Sequence, residues 1–172
     1  MRRYYCNNSY PHTLPPSYPM YSKAEVTQLR QAFWTTFGQY MAPVPSAEGD
    51  TTNWINYKTG VKNVYFRMQA DKARASIAIE LTHPDAGIRE LFWEQFGELR
   101  TLLHAALGEE WTWEAHYTDT HGEQLSRIYT DLAPVNLFSR DDWPRLISFF
   151  KPRLVALDAF WADAQWSFEA LK

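Results

Sequence analysis

The chain has 172 residues, 45% hydrophobic and 22% charged, with 17 Lys and Arg against 20 Asp and Glu for a net charge of −3. A chain of this length folds by default as one domain burying about 70% of its unfolded surface, which excludes a disordered polypeptide and a disulfide-stapled miniprotein. A mean hydropathy of −0.47 without any long apolar run excludes a membrane-spanning helix, and the slightly acidic balance gives no broad attraction to a phosphate polymer.

Residues 1–19 are read as a flexible tail rich in Pro and Tyr, with Pro11, Pro15, Pro16 and Pro19 breaking any regular element and no acidic residue present. Arg2 and Arg3 are its only charges, so the part from Met20 onward carries −5. The tail would suit an acidic partner; alternatively Met20 is the natural start. The basic opening has no apolar stretch behind it, so export through a signal peptide is not expected. A single cysteine, Cys6, forms no internal disulfide and fits a reducing compartment, so the expected location is the cytoplasm. Residues 20–172 are expected to form one globular domain.

That domain opens on Ser22-Lys23-Ala24-Glu25, a capping box. Val26, Leu29, Phe33, Phe37 and Tyr40 then recur at helical spacing, and the helix must stop by Ala42, ahead of Pro43 and Pro45. After a loop at 43–52 the period changes to two, which predicts three strands near 53–58, 63–70 and 74–82. In the second, Val64, Phe66 and Met68 take one face and Tyr65, Arg67 and Gln69 the other. In the third, Ile77, Ile79 and Leu81 alternate with Ser76, Ala78 and Glu80. A turn at Lys72-Ala73 sets Phe66 opposite Ile79, Met68 opposite Ile77, and Tyr65 opposite Glu80.

Pro84 and Asp85 announce a second helix with a wide apolar stripe (Ile88, Leu91, Phe92, Phe96, Leu99, Leu102, Leu103, Ala106, Leu107) that stops at Gly108. A fourth strand near 111–118 alternates Trp111, Trp113, Ala115 and Tyr117 with Thr112, Glu114 and His116, and a turn at 119–122 leads to a fifth near 124–130. A long C-terminal helix from Asp142 onward should kink or split at Pro152. The fold class is therefore α/β, of the α+β kind: helix, three-strand antiparallel meander, helix, β-hairpin, long C-terminal helix, with helices on the oily face of a mostly antiparallel sheet.

No Gly-rich phosphate loop, nucleophile elbow, His-Glu-x-x-His pattern or EF-hand loop is present, and only His116 and His121 stand at a spacing a metal site would use. The polar constellation lies on the non-core face of the sheet. Arg67, Glu80, Glu114 and His116 fall on the polar parity of their strands, with Tyr65 and Arg127 nearby. This cluster reads either as an acid/base or carboxylate metal site with Glu80, Glu114 and His116 as catalytic candidates, or as a solvated face where Arg67 pairs with Glu80. A third reading is small-ligand binding near Arg67 and His116, given a closed pocket. With 28 aromatic residues, eight of them Trp, not all should fit one core. Trp34, Trp93, Trp166 and one of Trp54 and Tyr57 are expected to be exposed, as a partner surface or a platform for stacking bases, unless a wide helix face is covered.

The element order is similar to the restriction-endonuclease-like PD-(D/E)XK cores, in which an acid on the second strand and Glu-x-Lys on the third hold magnesium and activate water. Glu80 stands where that carboxylate would, but Thr82 occupies the lysine position and Asn63 the aspartate position, with Asp50 or Asp71 as the nearby substitutes. No cofactor is expected unless the chain is such a nuclease, which would take Mg²⁺ at Glu80.

Over residues 20–172 the sequence resembles the bacterial family catalogued as domain of unknown function 4268, on the stretches LRQAFWTTFG at 29–38, WINYKTG at 54–60, VYFRM at 64–68, IRELFWEQF at 88–96, DWP at 142–144 and FFKPR at 149–153. The resemblance implies a cytoplasmic bacterial protein and supplies no activity or catalytic residue. Members of that family occur alone or as the C-terminal part of longer chains, some resembling nucleases. Two functions follow from the sequence: a non-catalytic interaction module that binds a protein partner or itself, with Arg67, Tyr65 and Arg127 as contacts, or a divergent magnesium-dependent nuclease or nucleic-acid-binding domain. Neither involves a membrane.

Overall fold

The computed structural model describes residues 21–171, so the expectations for the tail and for Met20 lie outside the described residues. Four α-helices and four strands follow in the order α1 (Lys23–Met41), β1 (Val64–Ala70), β2 (Ala75–Leu81), α2 (Ala86–Glu98), α3 (Arg100–Leu107), β3 (Thr112–Thr118), β4 (Gln124–Leu132) and α4 (Trp143–Ala164). Short 3-10 turns at Arg140–Asp142 and Gln165–Leu171 bracket α4. No described helix is long and apolar enough to cross a membrane.

The capping box starts α1 as the sequence requires: the Glu25 N–H donates to Ser22 Oγ at 3.2 Å and the Ser22 N–H to Glu25 Oε2 at 2.7 Å. These bonds hold the Glu25 carboxyl below its usual range. The buried row is Phe33, Phe37 and Met41. Tyr40, expected in that row, is 49% exposed, because steps of four from Phe33 reach Met41 and leave Tyr40 on the flank.

The first hairpin has the register its hydrophobic pattern demands, with Phe66 paired to Ile79, Met68 to Ile77 and Tyr65 to Glu80. Its turn closes by the Asp71 N–H donating to the Arg74 carbonyl at 2.9 Å, while Asp71 Oδ1 accepts from the Ala73 and Arg74 N–H groups. The sheet is antiparallel throughout, in the order β1-β2-β4-β3. The connection through α2 and α3 therefore places β4, not β3, beside β2.

Residues 53–58 form no strand, so the meander has two strands rather than three. Asn53 Oδ1 accepts from the Asn56 N–H in a local turn, and Gly60 and Asn63 have φ of 74° and 65°, which a strand cannot continue. The alternating side chains of this segment find partners on α4 and in neighbouring loops instead of in a ladder. Trp54 Nε1 donates to the Val44 carbonyl at 2.9 Å, Tyr57 Oη to Asp158 Oδ1 at 2.7 Å, and Trp161 Nε1 to the Thr59 carbonyl at 2.7 Å. Asp158 Oδ2 also accepts from the Ala47 N–H at 2.6 Å, so one buried carboxylate ties both halves of the 42–63 loop to α4.

The expected second helix is two helices, broken at Leu99, whose ψ of 2° interrupts the helical path. Gly108 ends α3 in the left-handed region at φ 68°, its N–H bonded to the His104 carbonyl. Ile88, Leu91 and Leu102 are exposed, because the predicted stripe is wider than the surface the sheet and α4 cover. Pro152 does not split α4, which stays helical from Trp143 to Ala164 because Phe149, Phe150, Leu154 and Leu157 bury it on both sides of the proline.

One core joins the layers, with Phe33, Phe37, Phe96, Phe150, Trp161 and Phe168 at its centre against Ile77, Ile79 and Ile128 of the sheet. It absorbs more aromatic surface than the sequence suggests. Trp54 is buried, Tyr57 stacks on Phe66 at 5.1 Å, Trp34 packs on Phe33 at 4.9 Å, and Trp93 meets Trp113 edge-on at 5.3 Å. Of the eight tryptophans only Trp166, 65% exposed, stands out into solvent.

Candidate functional site

The helices lie on the sheet face bearing Val64, Phe66, Ile77, Ile79, Leu81 and Ile128, which leaves the opposite parity of the strands polar. Successive pairings align Tyr65, Glu80, Arg127 and Glu114 in one row across all four strands. Charge alternates along it, with Arg67 one residue pair away, and cross-strand neighbours of opposite sign attract.

Arg127 is the most constrained group of the row. Its Nε donates to Glu114 Oε2 at 2.7 Å, and its Cζ lies 3.5 Å from the Tyr117 ring centre and 4.0 Å from that of Tyr129. A guanidinium sandwiched between two rings and held by a charge-assisted bond keeps little rotational freedom. Tyr117 reaches this face through a β-bulge: Glu114 pairs with Arg127 but Tyr117 pairs with Leu125, so β3 carries one residue more than β4 over that interval. Ser126 Oγ donates to the Ala115 carbonyl at 2.6 Å, satisfying a group that the bulge takes out of the ladder.

The bulge corrects the expectation for β3. Tyr117, expected on the core parity, joins the polar face. His116, expected beside Glu114, is exposed and lines no part of the site, so Glu80, Glu114 and His116 do not form one catalytic group. The histidine at the site is His121, in the β3–β4 turn. Asp119 organises that turn by accepting on Oδ1 from the His121 and Glu123 N–H groups at 2.8 and 2.9 Å. Backbone bonding at Glu123 outweighs desolvation and, with His121, holds the Asp119 carboxyl below its usual range.

Between this turn and the sheet is a polar cup of about 150 Å³, walled by Arg67, Arg127, Tyr117 and His121, with Glu80, Gln69 and Ser76 on the sheet side. Tyr65 and Glu114 lie outside it and hold the arginines: the Arg67 guanidinium stacks 4.3 Å over Tyr65. The Glu80 side chain is only 15% exposed, with Arg67 Nε 3.7 Å from Oε2, and among the described residues it accepts no hydrogen bond. Burial pushes its carboxyl above the usual range; the charges of Arg67 and Arg127 oppose that push and Asp119 adds to it.

Among the described residues, no group of three or more His, Cys, Asp or Glu side chains is placed to hold a metal ion. Asn63 and Thr82, at the positions where a nuclease would carry Asp and Lys, are backbone partners, the Thr82 N–H donating to the Asn63 carbonyl at 2.9 Å. Asp71 is engaged in the β1–β2 turn. Glu80 instead has two arginines as neighbours, a surrounding that repels a cation.

Strand parity places Arg67, Glu80 and Arg127 on one face, as the pairing shows, whereas nothing in the pattern points to Tyr117, Tyr129, Asp119 and His121 beside them. The Asp119–Gly122 turn was visible; what it folds over was not. The fold and the site define an α/β domain with a helix-covered core and an open, polar sheet face. The chain belongs to the family described as Domain of unknown function (DUF4268), which matches residues 29–165. No curated protein and no solved structure matches it.

Proposed function

We propose that the chain is a non-catalytic binding module that meets a protein partner through the open sheet face, with the row Tyr65, Glu80, Arg127 and Glu114 as the centre of contact. The observation that carries this reading is the clamped Arg127. A rigid arginine between two tyrosines makes its hydrogen bond and ring contacts only within its own hairpin, and preorganised Arg and Tyr groups are what interface centres are made of. The same geometry disfavours the magnesium-nuclease reading, since Glu80 has two arginines as neighbours and, among the described residues, no group of three or more His, Cys, Asp or Glu side chains is placed to hold a metal ion. The single cysteine supports a reducing, cytoplasmic setting, and the acidic net charge supports a protein rather than a nucleic-acid partner; a bacterial source is what the family resemblance implies.

Two experiments test the reading. The full chain and Glu80→Ala are incubated with labelled single- and double-stranded DNA and RNA at low salt, with and without Mg²⁺ or Mn²⁺. No cleavage is expected, and metal-dependent cleavage lost in Glu80→Ala would overturn the proposal. In parallel, a photo-cross-linker replaces Tyr65 on the sheet face or Tyr40 on the far helix of the full chain in its native cell. A discrete adduct from position 65, absent from position 40 and lost when Arg127→Glu is added, is expected; equal labelling from both positions would refute the face.

A further inference from the structure

The cup contains two unmet and opposite hydrogen-bonding capacities side by side. Among the described residues, Arg127 uses only its Nε, for Glu114, and its terminal nitrogens donate to nothing. A guanidinium has five N–H donors, so four are free for an acceptor. Glu80, its direct cross-strand partner, is an acceptor with two oxygens, mostly covered, that accept from nothing. Among the described residues no side-chain polar atom is both fully buried and unpaired, so these oxygens open onto the cup, where an incoming donor can reach them.

The charges around the cup discriminate further. Arg67 and Arg127 are balanced by Glu80 and Asp119, so a ligand with a net charge gains nothing from the overall field, while a neutral ligand with separated charges meets complementary groups. The volume of about 150 Å³ lies below the roughly 300–1,000 Å³ of pockets for drug-sized ligands, which suits a ligand of only a few heavy atoms.

We infer that the cup binds a small zwitterion, the α-ammonium carboxylate head group of a free amino acid, with its carboxylate on the terminal nitrogens of Arg127 beside Arg67 and its ammonium on Glu80. The Tyr117–Arg127–Tyr129 sandwich and Glu114 present the guanidinium edge to the carboxylate, and the 119–122 turn forms the far wall. Such a ligand would occupy the centre of the contact face, so this inference rests on the binding reading above and adds a small-molecule input to it.

The test is a titration of the ¹⁵N-labelled full chain followed by amide chemical shifts, with glycine and alanine as the probes and acetate, methylamine and N-acetylglycine as comparators. Glycine and alanine are expected to shift amides of β2, β4 and the 119–122 turn. Acetate and methylamine, each lacking one charge, should bind about tenfold more weakly or less, the worth of one charge-assisted hydrogen bond. Arg127→Gln should abolish the response, and Glu80→Gln should reduce glycine to the affinity of acetate, both with otherwise native spectra. No localised shift at saturating glycine would overturn the inference, as would acetate or N-acetylglycine binding as well as glycine. If glycine fails while the position-65 cross-link persists, the inference falls and the binding module stands; metal-dependent cleavage would remove the module whatever glycine does.

Discussion

Replacing Asp158 with Ala deletes a carboxylate that is 5% exposed and accepts two hydrogen bonds, from Tyr57 Oη at 2.7 Å and the Ala47 N–H at 2.6 Å. Hydrogen bonds to a charged acceptor contribute about 1.5–3 kcal/mol each, so the expected loss is about 3–5 kcal/mol. Against a typical stability of about 5–15 kcal/mol this is a large share, and in a chain of this size it lowers Tm by about 10 °C. Asp158→Asn keeps one acceptor oxygen and should lose about half as much. Tyr57→Phe keeps the ring stack on Phe66 and should cost about 1–2 kcal/mol, with a coupling of about 1 kcal/mol or more to Asp158→Ala in a double-mutant cycle. Because burial and the bond to Asp158 push the Tyr57 hydroxyl far above its ordinary range, it stays a donor across the accessible pH range. Urea unfolding followed together by tryptophan fluorescence and far-UV circular dichroism measures the losses. A change under about 1 kcal/mol for Asp158→Ala would refute the reasoning. So would an unchanged midpoint with protease nicking confined to residues 42–63, since the loop would then open by itself, outside the cooperative unit.

Arg153 grips Glu109 with two bonds of 2.7 and 2.8 Å and joins α4 to the α3–β3 connection, so Arg153→Ala should cost about 1.5–3 kcal/mol at pH 7 by urea titration. Partial burial raises the Glu109 carboxyl, but its bonds from Arg153 and Trp111 outweigh that and hold it below the usual range. This stabilisation is therefore present above the unfolded glutamate pKa of about 4.3 and lost as pH falls through the lower folded value, so wild type and variant should converge in acid. Glu80 has the opposite sign: burial raises its folded pKa, so the favourable state is the protonated one, present at low pH and lost as pH rises through that value. Glu80→Gln should match or exceed the wild-type Tm at pH 7, with the gap closing toward acid, and a lower Tm at pH 7 would show that the arginines outweigh burial. Ser126→Ala removes the donor to the bulge carbonyl of Ala115 and should cost about 1 kcal/mol, with faster amide exchange at Tyr117 as the local readout.

Much of the scaffold of the site was legible because its causes are local. The Ser22–Glu25 box, the stop at Gly108 and the Asp71 turn each involve partners within a few residues. The hairpin register follows from a period of two plus that turn, and it places Arg67 and Glu80 on one face. Parity also put Arg127 on that face, because β2 and β4 pair without a slip.

Other features depended on what the chain meets in space. Residues 53–58 have the alternation of a strand, yet Tyr57 is held by a carboxylate 101 residues away and Thr59 by an indole 102 residues away, and those bonds replace a ladder. The bulge in β3 exchanged Tyr117 for His116 at the site through one extra residue, with no glycine or proline to announce it. The buried fate of Trp54 and the continuity of α4 across Pro152 likewise reflect how much surface neighbouring layers cover. Periodicity and capping are set by interactions between near neighbours, which is why α1, both hairpins and the polar parity of β1, β2 and β4 can be read from the chain. Which side chains complete the cup, and which aromatic residues are buried, depends on contacts across long chain separations and emerges only when the layers pack.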